Sequence, residues 1–326
     1  MRDEHKIVKG IHHVTSCVGA AQEDIDFLTQ VIGQRMIKQT VLFDGKVPIY
    51  HLYYANADAE IGTVMTTFPY RQDGRKARKG SGQVAVTAYS VAEDSLDFWA
   101  QHLERHGVKH SGVKRLFGKD RIYFEDPVGL GYEVVGDNRD SRSGWTTSEI
   151  NEANSVKGFN NVVMSVREIP SMESYLVDAL GFEKTGQEGK YHQYEINGGG
   201  PGKTVILRED SDTPQGTWTF GEGAVHHVAF AVENDPAGME LKLWLEGLGY
   251  TDASEQKDRN YFHSVYVRSP GGILTEFATS DIGFATDEPL EELGQNLQLP
   301  PWFEDRRAEI IAPLEPITVP AENRKK

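Results

Sequence analysis

"GIHHVTSCV" (Gly10–Val18) is the first apolar run of the chain, and "GAVHHVAFAV" (Gly223–Val232) repeats it near the other end. Each reads as a strand carrying a His-His pair. Strand side chains alternate between two faces. His13, Thr15 and Cys17 therefore share one face of the first run, and His227, Ala229 and Ala231 share a face of small residues in the second. The opposite face of the second run, His226, Val228, Phe230 and Val232, is bulky and is expected to pack under helices. The small face leaves room above it, so His13 and His227 are the better ligand candidates.

Working outward, each run leads a unit that recurs four times. The lead strands are "IHHVTSCV", "QVAVTAYSV", "NNVVMSV" and "VHHVAFAV". An amphipathic helix candidate follows each one: "QEDIDFLTQVIG", "EDSLDFWAQHLERHG", "PSMESYLVDALG" and "PAGMELKLWLEGLG", the last with Met239, Leu243 and Trp244 on its expected apolar face. Pro170 and Pro236 suit first-turn positions, and Gly33, Gly107, Gly181 and Gly249 suit positions just past the helix ends. Further strands close each unit as "GTVMTTF", "GLGYEVV", "KTVILRE" and "GILTEFA". The pattern is β-α-β-β-β, and period is the first signal of repeat architecture.

One such unit cannot close a core around its sheet, whereas paired units can curl into a cup. The expected fold class is α+β, with four βαβββ modules paired into two cup-shaped incomplete barrels. Modules one and two are assigned to residues 1–150, and three and four to residues 151–285. An acidic, Pro-rich tail, 286–326, is expected to pack on the body through Trp302 and Phe303.

Glu276 alternates with Leu274 and Ala278 in the fourth closing strand. A carboxylate in a core strand is costly unless it is paired or bound to a metal. Two neutral imidazoles and one carboxylate form the facial triad of non-haem Fe(II), with open positions left for reactants. The second lead strand has no His, and the third has Asn161 where one would fall. The set is therefore completed by the first and fourth modules, which brings the chain's two ends together. Glu133, in "GYEVV", occupies a comparable place in the second module and competes for the carboxylate role.

Other features read more plainly. His102, His106 and His110 are spaced by four with no carboxylate joining them, and read as an exposed helix face. His51, in the Tyr-rich "IYHLYYA", reads as packing, Cys17 as a small buried side chain, and His263 stays open. "NGGGPGKT" lacks the first glycine of a phosphate loop and leads into a strand, so it reads as a turn. The basic run "RQDGRKARKG" reads as a solvated linker.

Composition limits the class. The chain has 326 residues, 38% hydrophobic and 25% charged, and a net charge of −15. That charge argues against a nucleic-acid surface. No run is long enough to span a bilayer, and "MRDEHKIVKG" has no apolar core for a signal peptide. One cysteine excludes a disulfide framework and fits a reducing cytoplasm. A homo-oligomer is compatible with these features.

With these residues in hand, the chain resembles the vicinal oxygen chelate superfamily, and within it the dioxygenases that open para-dihydroxybenzene rings. The matching stretches are "HHVT", "AQEDIDF", "GQR", "IYHLYYA", "GTVMTTFP", "EGAVHH", "RNYF", "YVRSPGG" and "IGF", in order from Gly10 to Phe284. The resemblance implies Fe(II) held by His13, His227 and Glu276; Mn(II) is accepted by the same ligand types. It also implies roles beside the metal for His12, Thr15, His226, Arg259 and Tyr266. A hydroquinone, substituted or chlorinated, and O2 would be the reactants. Catechol-cleaving relatives share the order Tyr266, Pro270, Gly272, Glu276, but here Ser269 precedes the proline and His263 lies only three residues before Tyr266. Two rival expectations use the same fold: a glyoxalase-type metal-dependent isomerase or lyase, and a ligand-sequestering binding protein.

Overall fold

Gly33, Gly107, Gly181 and Gly249 adopt φ of +77°, +68°, +83° and +99°. A side chain resists that region, so each glycine ends its helix and turns the chain back toward its sheet. Four β-α-β-β-β units follow from these stops. The structure, a computed structural model, describes residues 7–42, 47–72 and 74–323. Most of the charged N-terminus, Asp73 of the basic run and the last three residues lie outside the described residues.

The first unit runs β1 (Ile11–Val18), α1 (Ala21–Asp26), β2 (Arg35–Leu42), β3 (Ile49–Ala55) and β4 (Val64–Pro69). The second runs β5 (Gln83–Val91), α2 (Leu96–Arg105), β6 (His110–Leu116), β7 (Lys119–Glu125) and β8 (Gly131–Gly136). The third comprises β9 (Gly158–Val166), α3 (Pro170–Ser174), β10 (Glu183–Glu188), β11 (Tyr191–Glu195) and β12 (Thr204–Glu209). The fourth comprises β13 (Ala224–Val232), α4 (Asp235–Gly247), β14 (Lys257–Asp258), β15 (His263–Arg268) and β16 (Leu274–Thr279). Both α1 and α3 continue into one wider π-type turn, Phe27–Val31 and Tyr175–Ala179.

These strands build two curled eight-stranded sheets, ordered β14-β15-β16-β13-β1-β4-β3-β2 and β10-β11-β12-β9-β5-β8-β7-β6. Each lead strand pairs in parallel with the last strand of its own unit, as β1 does with β4. Its other edge is satisfied by a second lead strand running antiparallel, β1 on β13 and β5 on β9. The sheets therefore run across the division at residue 150: the first unit joins the fourth, and the second joins the third. One large core, with Val14, Phe230, Tyr89 and Phe159 among its members, packs residues of both sheets together.

Two expectations change with the structure. In α4 the buried positions are Gly238, Leu241, Lys242 and Leu245, while Leu243 is 64% exposed. The helix packs on β15 and β16, and that contact takes the 241/245 stripe in place of the 239/243 stripe. The histidines of α2 also differ from an exposed face. His102 is fully buried, and Glu149 reaches His106.

"NGGGPGKT" forms the turn from β11 to β12. The tail bridges to the edge of β2 at Leu297 and is held by the buried Lys38, which pairs with Asp287 and, at 2.7 Å, with Glu288. Asn323 adds hydrogen bonds to the Met36 backbone. Phe303 is partly packed, but Trp302 is 51% exposed, so polar anchors and the buried Leu299 and Ile310 carry much of the attachment.

Candidate metal centre

The β1–β13 ladder contains two irregularities, and each falls on a His-His pair. Ile11 opposes Phe230 and His13 opposes Ala229, which leaves His12 as an extra residue on β1. Thr15 opposes His227 and Ser16 opposes Val225, which leaves His226 as an extra residue on β13. A bulge interrupts strict alternation and re-aims side chains. The first histidine of each pair therefore does not go under the helices. Instead, His12 Nδ1 meets His13 Nδ1 at 2.9 Å, and His226 Nδ1 meets His227 Nδ1 at 2.8 Å.

The second histidine of each pair points at Glu276, which lies next to Ala229 on β16. His13 Nε2 and His227 Nε2 are 3.1 Å apart, and they lie 3.2 and 2.6 Å from Glu276 Oε2. All three residues are buried. Neither carboxylate oxygen accepts a hydrogen bond of normal geometry. Burial alone would raise the Glu276 pKa, yet His227 and His13 hold it well below the usual carboxylate range. Three converging donor atoms, one of them an anionic oxygen without a proper proton partner, fit a divalent cation of the facial-triad type.

The tautomers follow from the outer contacts. His12 Nε2–H donates to the Thr279 carbonyl at 3.1 Å, so His12 Nδ1 must accept and His13 Nδ1–H must donate. His13 then presents a bare Nε2 lone pair to the centre. Burial holds the His12 pKa down at about 3, which keeps that ring neutral.

The triad borders a cavity of about 740 Å³, lined by His13, Thr15 and His227 with His226, Arg259 and Tyr266. Arg259 Nη2 donates to the Tyr266 hydroxyl at 3.1 Å, and its guanidinium lies 5.3 Å from the centre of that ring. Burial opposes the Arg259 charge, but Tyr266 and Glu276 raise its pKa above the usual value. Burial and then the Glu276 charge push the Tyr266 phenol up. Burial and His227 hold His226 well below the usual imidazole value, and its ring stacks on Phe220 at 3.4 Å. His12 does not line the cavity and packs instead against Phe262 and Phe284.

The site also includes His51, which the sequence reads as a packing residue, and residues to which the sequence assigns no place in the site. His51 lines the cavity; its Nε2 lies 3.0 Å from Thr66 Oγ1, and its Nδ1 lies 3.1 Å from the Tyr53 hydroxyl. Thr66 continues to Thr15 at 2.6 Å. The i, i+2 spacing of His51 and Tyr53 on β3 was the available signal, but it becomes informative only once β3 is known to share a sheet with β1. Pro300, Trp302 and Phe303 of the tail also line the cavity. Glu133 belongs to the other sheet, where Arg121 pairs with it at 2.8 Å, and His263 pairs with Asp235 at 2.7 Å outside the cavity lining.

Comparison with known proteins gives the family of the chain. Residues 10–134 match the family model of the Glyoxalase/Bleomycin resistance protein/Dioxygenase superfamily. Chlorohydroquinone/hydroquinone 1,2-dioxygenase of Sphingobium indicum is 37% identical over 96% of this chain and 98% of its own length. The chain belongs to this superfamily. A crystal structure of a "putative dioxygenase" from Bacillus subtilis superposes with a TM-score of 0.89 at 34% identity, covering 96% of this chain and 98% of that one. Glyoxalase I from Zea mays shares the superfamily fold at a TM-score of 0.60 and 15% identity, over 85% of this chain and 95% of its own. As expected for a superfamily member, the architecture is a paired set of βαβββ modules. Among the described residues, no helix is long and apolar enough to cross a membrane.

Proposed function

We propose that the chain is an Fe(II)-dependent ring-cleaving dioxygenase that opens a hydroquinone with O2 in a cytoplasmic route of aromatic breakdown. The observation that carries this reading is the convergence of His13, His227 and Glu276 beside a cavity of about 740 Å³ that is lined by Phe68, Phe262 and Tyr266. The name of the Sphingobium indicum relative supports the substrate class. Bound at the triad, Fe(II) would supply electron density to O2 and lower the pKa of a coordinated phenol.

The chain's own residues prepare the ring for this chemistry. The two hydroxyls of a para-dihydroxybenzene cannot both reach one centre, so one oxygen lies at the triad and the other points along the cavity. Tyr266, held by Arg259, is placed to donate its hydroxyl proton to the oxygen at the triad. The fixed guanidinium charge offsets negative charge that develops on the ring oxygen. His226 is neutral, and its Nδ1 accepts from His227 when His227 Nε2 serves the metal. Its proton then sits on Nε2, where it can be handed to the substrate. Phe68, Phe262, Trp302 and Phe303 exclude water around the ring.

The test is anaerobic reconstitution with Fe(II) followed by an oxygen electrode, offering hydroquinone, methyl-, methoxy- and chlorohydroquinone, and catechol in turn. Uptake of O2 with the para compounds supports the reading. Lack of uptake with all of them sinks it. Metal-dependent isomerisation of a thiohemiacetal without O2 would establish the glyoxalase-type alternative.

A further inference from the structure

His102, His106 and Glu149 lie far in sequence from the triad and belong to the second unit and the segment that follows it. Their ligand atoms all fall within 4.8 Å of one another. His106 Nε2 is 3.1 Å from Glu149 Oε2, and His102 Nδ1 is 3.7 Å from the same oxygen. Adjacent ligands around a tetrahedral zinc ion, with bonds of about 2.0–2.1 Å, stand roughly 3.3–3.4 Å apart. The two separations bracket that value.

The cluster is also prepared for a cation. His102 Nε2–H donates to the Val31 carbonyl at 3.0 Å, which leaves the Nδ1 lone pair facing Glu149. A backbone carbonyl on the far ring nitrogen is the usual means of orienting a metal-binding imidazole. Burial lowers the His102 pKa, so the ring is neutral and able to ligate. Glu149 is positioned by its own segment: Thr147 Oγ1 accepts from the backbone N–H groups of Glu149 and Ile150, and Ile150 is fully buried. His106 also borders a second cavity, of about 980 Å³, whose lining carries Glu23, Asp26 and Glu125 together with Lys109. One group competes: Arg105 Nη2 reaches His102 Nδ1 at a long 3.4 Å. Arg105 is exposed and can turn outward.

We propose that His102 Nδ1, His106 Nε2 and Glu149 Oε2 form a second metal site, for a borderline divalent ion such as Zn(II), separate from the triad and with one position left to water. Its role is structural. The ion ties the end of α2 to the segment after β8, and through the His102–Val31 bond it ties both to the end of the first helix. The proposal does not depend on the activity assigned to the triad.

The test titrates the full chain with Zn(II) at neutral pH and reads stoichiometry by equilibrium dialysis and melting temperature by circular dichroism. His106→Gln and Glu149→Gln, both at partly exposed positions, should each lower the bound zinc by one equivalent relative to wild type. Each should also abolish the zinc-dependent rise in melting temperature at this site. Glu276→Gln should keep this equivalent, which separates the site from the triad. His106→Gln and Glu149→Gln binding as many equivalents as wild type would overturn the proposal, as would loss of all zinc in Glu276→Gln. Melting of the metal-free variants within a few degrees of the wild type serves as the fold control.

Discussion

His12 and His13 are neighbours in sequence and bonded in space, yet their tasks separate. His12 is anchored on Thr279 and sets the tautomer of His13, while His226 meets His227 Nδ1 from within the cavity. His12→Ala should therefore weaken Fe(II) affinity by about 10–100-fold, as loss of a ligand's orienting partner does, with little change in KM for the ring. His226→Ala should lower kcat in the metal-saturated enzyme as well. Chelator competition and steady-state O2 uptake distinguish the two. A second residue-scale effect concerns Asp24, which accepts from Tyr54 and Thr67 in the core. Burial raises its pKa from 3.8 to about 7. The folded chain then holds this proton more tightly than the unfolded one, so the associated stability is present below about pH 4 and is lost as pH rises toward 7. Asp24→Asn should flatten that slope, by at most about 4 kcal/mol, in urea melts between pH 4 and 8. The triad residues were legible from alternation and from the His-His repeat. The bulges that place His12 and His226 were not, because an extra residue in a strand leaves no periodic mark.

At the scale of elements, the helix stops were the most legible feature, since a glycine after an apolar stripe has a backbone reason to be there. Gly107 has φ +68° and open space around a virtual Cβ, whereas a Cβ on Gly33 would come within 2.5 Å of Ile150 Cδ1. Gly107→Ala should cost about 1–2 kcal/mol from backbone strain alone, and Gly33→Ala more, as read by chemical denaturation. The face of α4 was less legible because Leu241, Leu243, Trp244 and Leu245 leave two apolar stripes in competition. Contact with β15 and β16 decides between them. Leu245→Ala should therefore cost about 2–5 kcal/mol, while Leu243→Ala should stay within about 0.5 kcal/mol.

At the scale of the whole molecule, the two sheets share one plan and differ in chemistry. The β5–β9 ladder shows the same two interruptions, leaving Ala85 and Asn160 as the extra residues. Ala88 opposes both Asn161 and Glu133, as Ala229 opposes His13 and Glu276. Val86 and Asn161 thus stand at the register positions of His227 and His13. Val86 packs there with Val163 and Ile206, and Arg121 supplies the positive charge for Glu133. Arg121→Met should destabilise the fold, by about 1–3 kcal/mol, by taking the paired guanidinium from a half-buried carboxylate, with no change in triad metal content measured by elemental analysis. The duplication was legible in the repeats. The partner of each module was not, because all four lead strands offer similar edges; only the distribution of histidines pointed to the first and fourth.

The sheet order carries a consequence for synthesis. The strands of the β5–β12 sheet occupy residues 83–209 and are complete before β13 has been translated. The other sheet cannot close until its fourth module emerges, and His13 must wait more than two hundred residues for its co-ligands. Joining ends that far apart carries a loop-closure cost, which an intervening half that folded first would reduce by drawing the ends together. On the ribosome the half without His13, His227 and Glu276 is therefore expected to form first, and the sheet that carries those three residues to close last. Limited proteolysis of stalled chains long enough to expose residue 215 should find β5–β12 protected while β1–β4 remain open to cleavage.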